Sequence, residues 1–173
     1  MLTYTYSCSY VGTTTICAAL FDPLSGKLKI SNLGDSQMVV LRDGKVILEV
    51  EPGTWAFNSP FQIGFGLYGE PQGEVDEMTI TKELLLEKGD VIVMGTDGLF
   101  DNVYIKEIES IIQSNQPELS DLTEESTVSN WLSNTVRKLT QKAYKLGLDE
   151  SYLSPFSKEA IAAGKAPSNY LGG

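Results

Sequence analysis

Apolar positions recur with a period of two through roughly the first hundred residues and with a helical period after that, so strands are expected first and helices later. Gly12-Thr13-Thr14-Thr15 opens an apolar run through Ile16, Cys17, Ala18, Ala19, Leu20 and Phe21, which predicts a strand buried on both faces. Asp22-Pro23-Leu24-Ser25-Gly26 supplies a turn, with Pro fixing φ and Gly permitting positive φ. Residues 27–33 alternate as a half-exposed strand does. Gly34-Asp35-Ser36 interrupts, and strands are expected over residues 37–42 and 45–50, joined by the hairpin signal Asp43-Gly44. Residues 75–81 alternate again, and the β-branched run 91–94 predicts a buried strand bounded by turn residues.

Between these strands, residues 51–74 are rich in Gly and Pro and too long for a simple connector, which suggests a functional flap. Trp55, Phe57, Phe61 and Phe65 are expected to pin it to the body. Beyond Asp101, the spacing of Val103, Ile105, Ile108, Ile111 and Ile112 predicts one helix. A longer amphipathic helix is marked by Val128, Trp131, Leu132, Thr135, Val136, Leu139, Ala143, Tyr144 and Leu146, with Gly147 as its stop. Residues 117–125 form an acidic loop, and Ser154-Pro155 opens a short helix through Ala163. Strands followed by helices predict a single α+β domain over residues 1–173, with helices layered on antiparallel sheets.

Charge narrows the partners. Asp and Glu number 23 against 13 Lys and Arg, a net charge of −10. Nucleic acid and anionic membrane surfaces are therefore poor partners. The sequence has no His, so a metal site must be built from oxygen ligands and zinc is disfavoured. The two cysteines, Cys8 and Cys17, are followed six positions later by Thr14 and Pro23, so the Cys-x5-Arg phosphate loop of thiol phosphatases is absent. Both are read as packing residues of a reducing compartment. No apolar run approaches the roughly 20 residues of a membrane span, and residues 1–21 lack the Lys and Arg of a targeting segment.

The candidate chemistry lies at the end of the 91–94 strand, where Thr96-Asp97-Gly98-Leu99-Phe100-Asp101-Asn102 sets two aspartates four residues apart. On its own this stretch admits two readings: carboxylates for a hard divalent cation, or an acid capping a helix that begins near Asn102. Gly34-Asp35-Ser36 on its own is a turn.

Taken together, Gly12-Thr13-Thr14-Thr15, Asn32-Leu33-Gly34-Asp35-Ser36, Gly89-Asp90 before a strand, and Thr96-Asp97-Gly98-Leu99-Phe100-Asp101-Asn102 resemble the metal-dependent type-2C serine/threonine protein phosphatases. Phe57-Asn58-Ser59-Pro60-Phe61-Gln62 and Ser154-Pro155-Phe156-Ser157 resemble the mitochondrial branch of that family. The resemblance covers residues 12–173 and implies part of a four-layer αββα sandwich. It implies hydrolysis of phosphoserine and phosphothreonine in phosphoproteins by water activated between two or more Mn²⁺ or Mg²⁺ ions. Asp97 would be a ligand of the catalytic pair, and Asp35 and Asp101 would match the carboxylates of a third metal. Gly98 and Gly34 would let backbone approach the centre, and Thr96 and Asn102 would support the loop.

The sequence also departs from the family. Nothing before Gly12 supplies the family's upstream Asp-Gly ligand or its phosphate-gripping Arg, and the family's downstream Asp pair would follow Gly172-Gly173. The expectation is a domain cut at both ends, with a half-built dinuclear site. The alternatives are a catalytically inactive member that binds a protein partner, and an unrelated Mg²⁺ hydrolase using Asp97 and Asp101.

Overall fold

The computed structural model describes residues 12–65, 75–114, 116–118 and 120–172. Expectations for the first ten residues, including Cys8, and for the Gly- and Pro-rich end of the 51–74 loop lie outside them. Ten strands and five α-helices occur among the described residues. One antiparallel three-stranded sheet has the order β2 (Ile16–Asp22), β3 (Lys27–Leu33), β9 (Ile80–Leu85). A second has the order β10 (Val91–Gly95), β4 (Gln37–Arg42), β5 (Lys45–Val50). Two small pairs complete the strands: β1 (Gly12–Thr14) with β8 (Ile63–Phe65), and β6 (Thr54–Ala56) with β7 (Ser59–Pro60).

β4 holds the layers together. Its residues Met38, Val39, Val40 and Leu41 are all fully buried, because alternate side chains enter different cores. Met38 and Val40 join Leu28, Ile30 and Val50 between the two sheets. Val39 and Leu41 join Val91, Val93, Phe100 and Val103, and helices α3 (Ile105–Gln113) and α4 (Glu125–Gly147) cover them through Ile108, Ile112, Leu139 and Ala143. Sheet, sheet and helices are thus stacked as three layers. On the far side, the outward face of β2 and β9 exposes Ile16, Leu20 and Leu85, so a second helical layer is not seen among the described residues.

Several local expectations need correction. The run from Ile16 to Phe21 is not buried on both faces: Leu20 is 70% and Phe21 49% exposed. Among the described residues β2 is an edge strand with one neighbour, β3, and apolar sequence alone cannot distinguish an edge from a centre. Residues 75–81 do not form one strand; α1 occupies Val75–Met78, and β9 starts at Ile80. The Thr79 hydroxyl donates to the Val75 carbonyl at 2.6 Å, closing that single turn. The end of α4 falls at Gly147 as expected, with Leu148 as its C-cap. Gly147 also leaves room for Asn102, whose Oδ1 would lie 3.1 Å from an added Cβ. No helix begins at Asn102: α2 occupies Asp97–Phe100, and α3 has Tyr104 as its N-cap, with the Glu107 carboxylate accepting from the Tyr104 N–H at 3.1 Å.

The Asp43-Gly44 hairpin forms as expected, with φ of +50° and +69°. Its tip lies against the end of α3, where a Cβ on Gly44 would collide with Gln113. Gly44→Ala is therefore expected to destabilise the protein by about 1–2 kcal/mol, read as a lower urea midpoint with an unchanged slope. An unshifted midpoint would mean that the turn relaxes freely.

Candidate active site

Strand register brings the aspartates together. Gly95 at the end of β10 pairs with Gln37 at the start of β4. The β3–β4 turn carrying Asp35 therefore lies beside the loop that follows β10. Gly34 adopts φ +113°, and a Cβ there would strike Thr15, so only glycine suits this turn. The buried Asn32 amide donates to the Ser36 carbonyl at 2.7 Å, and the Gly34 carbonyl accepts from the Gly53 N–H at 2.8 Å. These bonds fix Asp35 against the β5–β6 connection.

On the other side, α2 is one turn long. The Thr96 carbonyl accepts from the Leu99 N–H at 3.0 Å, and the Asp97 carbonyl from the Asp101 N–H at 2.8 Å. This i, i+4 relation puts Asp97 and Asp101 on one face. Phe100 and Val103, both buried, anchor the turn in the core. The Asn102 amide donates to the Gly98 carbonyl at 3.0 Å, and the Gly98 N–H donates to Asp97 Oδ1 at 2.7 Å. A Cβ on Gly98 would meet only Thr96 Oγ1, at 3.4 Å, so among the described residues crowding does not require glycine there.

Asp35, Asp97 and Asp101 line one small cavity of about 50 Å³, and Glu159 of α5 (Pro155–Ala162) joins them. Sequence reasoning missed Glu159. The available signal was its place one helical turn beyond Phe156 in the Ser154-Pro155-Phe156 motif. Helix α5 is tied to the acidic loop by the Phe156 N–H donating to the Asp101 carbonyl at 3.1 Å. The Ser154 hydroxyl accepts from the Ser157 N–H at 3.0 Å as N-cap and donates to the Gly172 carbonyl at 2.7 Å. A larger groove of about 520 Å³ runs along β10 and α4, but it is apolar and none of the acids faces it.

The cavity is strongly anionic. Burial pushes the Asp101 carboxyl up to about 6, and the neighbouring charges of Asp97, Glu159 and Asp35 push the same way. An all-oxygen donor set of this kind suits Mg²⁺ or Mn²⁺, and a cation would relieve the crowding of like charge. Among the described residues, however, no group of three acids stands close enough together to hold one ion. The residues match a hard cation in donor chemistry and fall short in number.

A pH dependence follows. Asp101 titrates higher in the folded chain than in the unfolded chain, where an Asp has its ordinary value of about 4. Between about pH 4 and 6 the folded state therefore binds more protons, so this contribution to stability is complete below that range and is lost as pH rises through about 6. In chelator, Asp101→Asn is expected to raise the melting temperature at neutral pH and flatten its decline across this window. A parallel, unshifted profile would refute the assignment.

Comparison with known proteins places this architecture. A family model described as Stage II sporulation protein E (SpoIIE) matches residues 4–150. Probable protein phosphatase 2C 26 of Arabidopsis thaliana is 36% identical over 153 residues, covering 88% of this chain and 45% of the relative. The protein phosphatase PTC7 homolog of Homo sapiens is 28% identical over 161 residues, covering 89% and 49%. The X-ray structure of the photosystem II phosphatase PBCP superposes with a TM-score of 0.76 at 29% identity, over 95% of this chain and 61% of that one. The layered antiparallel sheets with their helices thus have the fold of a type-2C phosphatase. The chain belongs to the PP2C-type phosphatase family, and it spans about half the length, or less, of the curated relatives it matches.

Proposed function

We propose that residues 1–173 form part of a metal-dependent protein serine/threonine phosphatase domain acting on phosphoproteins. The observation that carries this reading is the convergence of Asp35, Asp97 and Asp101 on one cavity at the end of the central sheet, within a chain of this family. Asp97, held by the Gly98 N–H, would face the catalytic ions, and Asp35 and Asp101 would hold a further one. When bound, Mn²⁺ or Mg²⁺ supplies an activated water and offsets phosphoryl charge. Thr96, Gly98 and Asn102 keep the aspartate loop in one shape, and the turn at Gly34 does the same for Asp35. The mitochondrial placement implied by the Phe57-Asn58-Ser59-Pro60 and Ser154-Pro155-Phe156 stretches belongs to the same proposal.

The test is Mn²⁺-dependent hydrolysis of p-nitrophenyl phosphate by this chain and by a version extended at both ends to the length of its relatives. Hydrolysis by the extended protein is the expected result, and its absence would sink the enzyme reading. A second reading, a catalytically inactive protein-binding member, is favoured by the lack of any three-acid cluster among the described residues. Metal-independent stability and no turnover in the extended protein would support it. Among the described residues, no helix is long and apolar enough to cross a membrane.

A further inference from the structure

Two sequence stretches that lie about a hundred residues apart meet over the acidic cavity. Phe57, at the tip of the β6–β7 hairpin, packs on Phe156 at the start of α5, with ring centroids 5.2 Å apart and planes inclined by 40°. Phe156 is fixed by its own N–H on the Asp101 carbonyl at 3.1 Å. Glu159 follows three residues later, and that spacing places it beside Phe156 on the same helix face. Phe57, Phe156 and Glu159 line the same cavity as Asp97 and Asp101, and no Lys or Arg does. Glu159 is exposed, and none of the ion pairs among the described residues involves it.

This wall combines two aromatic side chains with a carboxylate. The pairing suits one kind of side chain: a guanidinium, whose plane stacks on a ring while its fork meets an acid. Cations held by Asp35, Asp97 and Asp101 would offset those charges, whereas Glu159 lies outside the set assigned to metal.

Resting on the phosphatase reading above, we propose that Phe57, Phe156 and Glu159 form a specificity subsite that selects substrates with Arg next to the phosphorylated residue. Phe57 and Phe156 supply the platform, and Glu159 supplies the charge. The hairpin must stay in place for the platform to exist. Trp55 and Phe61 brace it edge to face, with centroids 4.7 Å apart.

The test uses three phosphothreonine peptides that differ only beside the phosphoresidue: Arg before it, Arg after it, or Ala on both sides. Their binding to the protein in Mn²⁺ is followed by fluorescence anisotropy, which needs no turnover, and their kcat/KM values are measured alongside. One Arg peptide is expected to be favoured over the Ala peptide about five- to tenfold. Glu159→Gln should bring the ratio to within about twofold, and Phe57→Ala should reduce it further. Equal binding of all three peptides, or a ratio that survives Glu159→Gln, overturns the subsite. So does an unchanged ratio accompanied by a shifted Mn²⁺ requirement, which would make Glu159 a metal ligand. Peptide discrimination without hydrolysis of any phosphate ester by the extended protein would instead retain the subsite and reject the enzyme reading.

Discussion

Asp97→Asn is expected to lower Mn²⁺-dependent phosphate hydrolysis by the extended protein at least about 100-fold while leaving the fold intact. Disturbing even outer partners of a metal ligand costs about 10–100-fold, and loss of a ligand charge exceeds that. The fold should survive because Asp97 is exposed and its one hydrogen bond at the loop is an acceptor role that an amide oxygen can also fill, for the Gly98 N–H at 2.7 Å. Activity and stability should therefore separate. Kinetics with p-nitrophenyl phosphate at increasing Mn²⁺, together with a melting curve, give both quantities. Activity within about threefold of the parent, at equal metal occupancy, would remove Asp97 from the proposed centre.

The position of Asp97 was legible in the sequence because strand signals and the loop that follows are local. A β-branched run ending in Gly95 needs no tertiary information to be read as a strand, and neither does Asp43-Gly44 as a hairpin. The long helix and its end at Gly147 were equally clear, although packing carried its start three residues earlier, to Glu125. What failed depended on neighbours. Phe21 and Leu20 look like core residues until β2 is found at a sheet edge among the described residues. Glu159 carries no motif of its own and becomes a site residue only because α5 docks on the Asp101 carbonyl. Residues 75–81 alternate well enough for a strand, but Asp76 and Glu77 in the first turn favour a short helix there. Family resemblance supplied the link between Asp35 and Asp97 that no local signal contains, and register gives that link a physical cause: Gly95 pairs with Gln37.

The end of β10 opposite Asp97 should respond in the contrary way. Arg42 closes β4 and donates to both oxygens of Asp90, from Nε at 2.9 Å and from Nη2 at 2.8 Å. It also donates to the Leu85 carbonyl at 3.2 Å and pairs with Glu87, so one side chain ties β4 to the turn between β9 and β10. The Asp90 side chain is only 2% exposed, and Arg42 holds its carboxyl below the usual carboxylate range. Arg42→Ala would leave a buried carboxylate with the Glu87 N–H, at 2.8 Å, as its remaining hydrogen-bond donor. Breaking a buried pair from one side is strongly destabilising, and the partial exposure of Arg42 moderates the loss here. The melting temperature is expected to fall by at least about 4 °C. The sign of the pH dependence follows from the depressed Asp90: its contribution is present above the ordinary carboxylate value of about 4 and is lost as pH falls through its lower folded value. The gap between parent and variant should therefore shrink in acid, and a gap that stays constant however far the pH falls below the ordinary carboxylate value would sink the electrostatic account. Because this network lies at the opposite end of β10 from the aspartates, Arg42→Ala should retain turnover per folded molecule well below its melting point, whereas Asp97→Asn should lose turnover and keep its stability. If both variants lost activity in proportion to stability, the acidic end of β10 would be a structural feature and not a catalytic one.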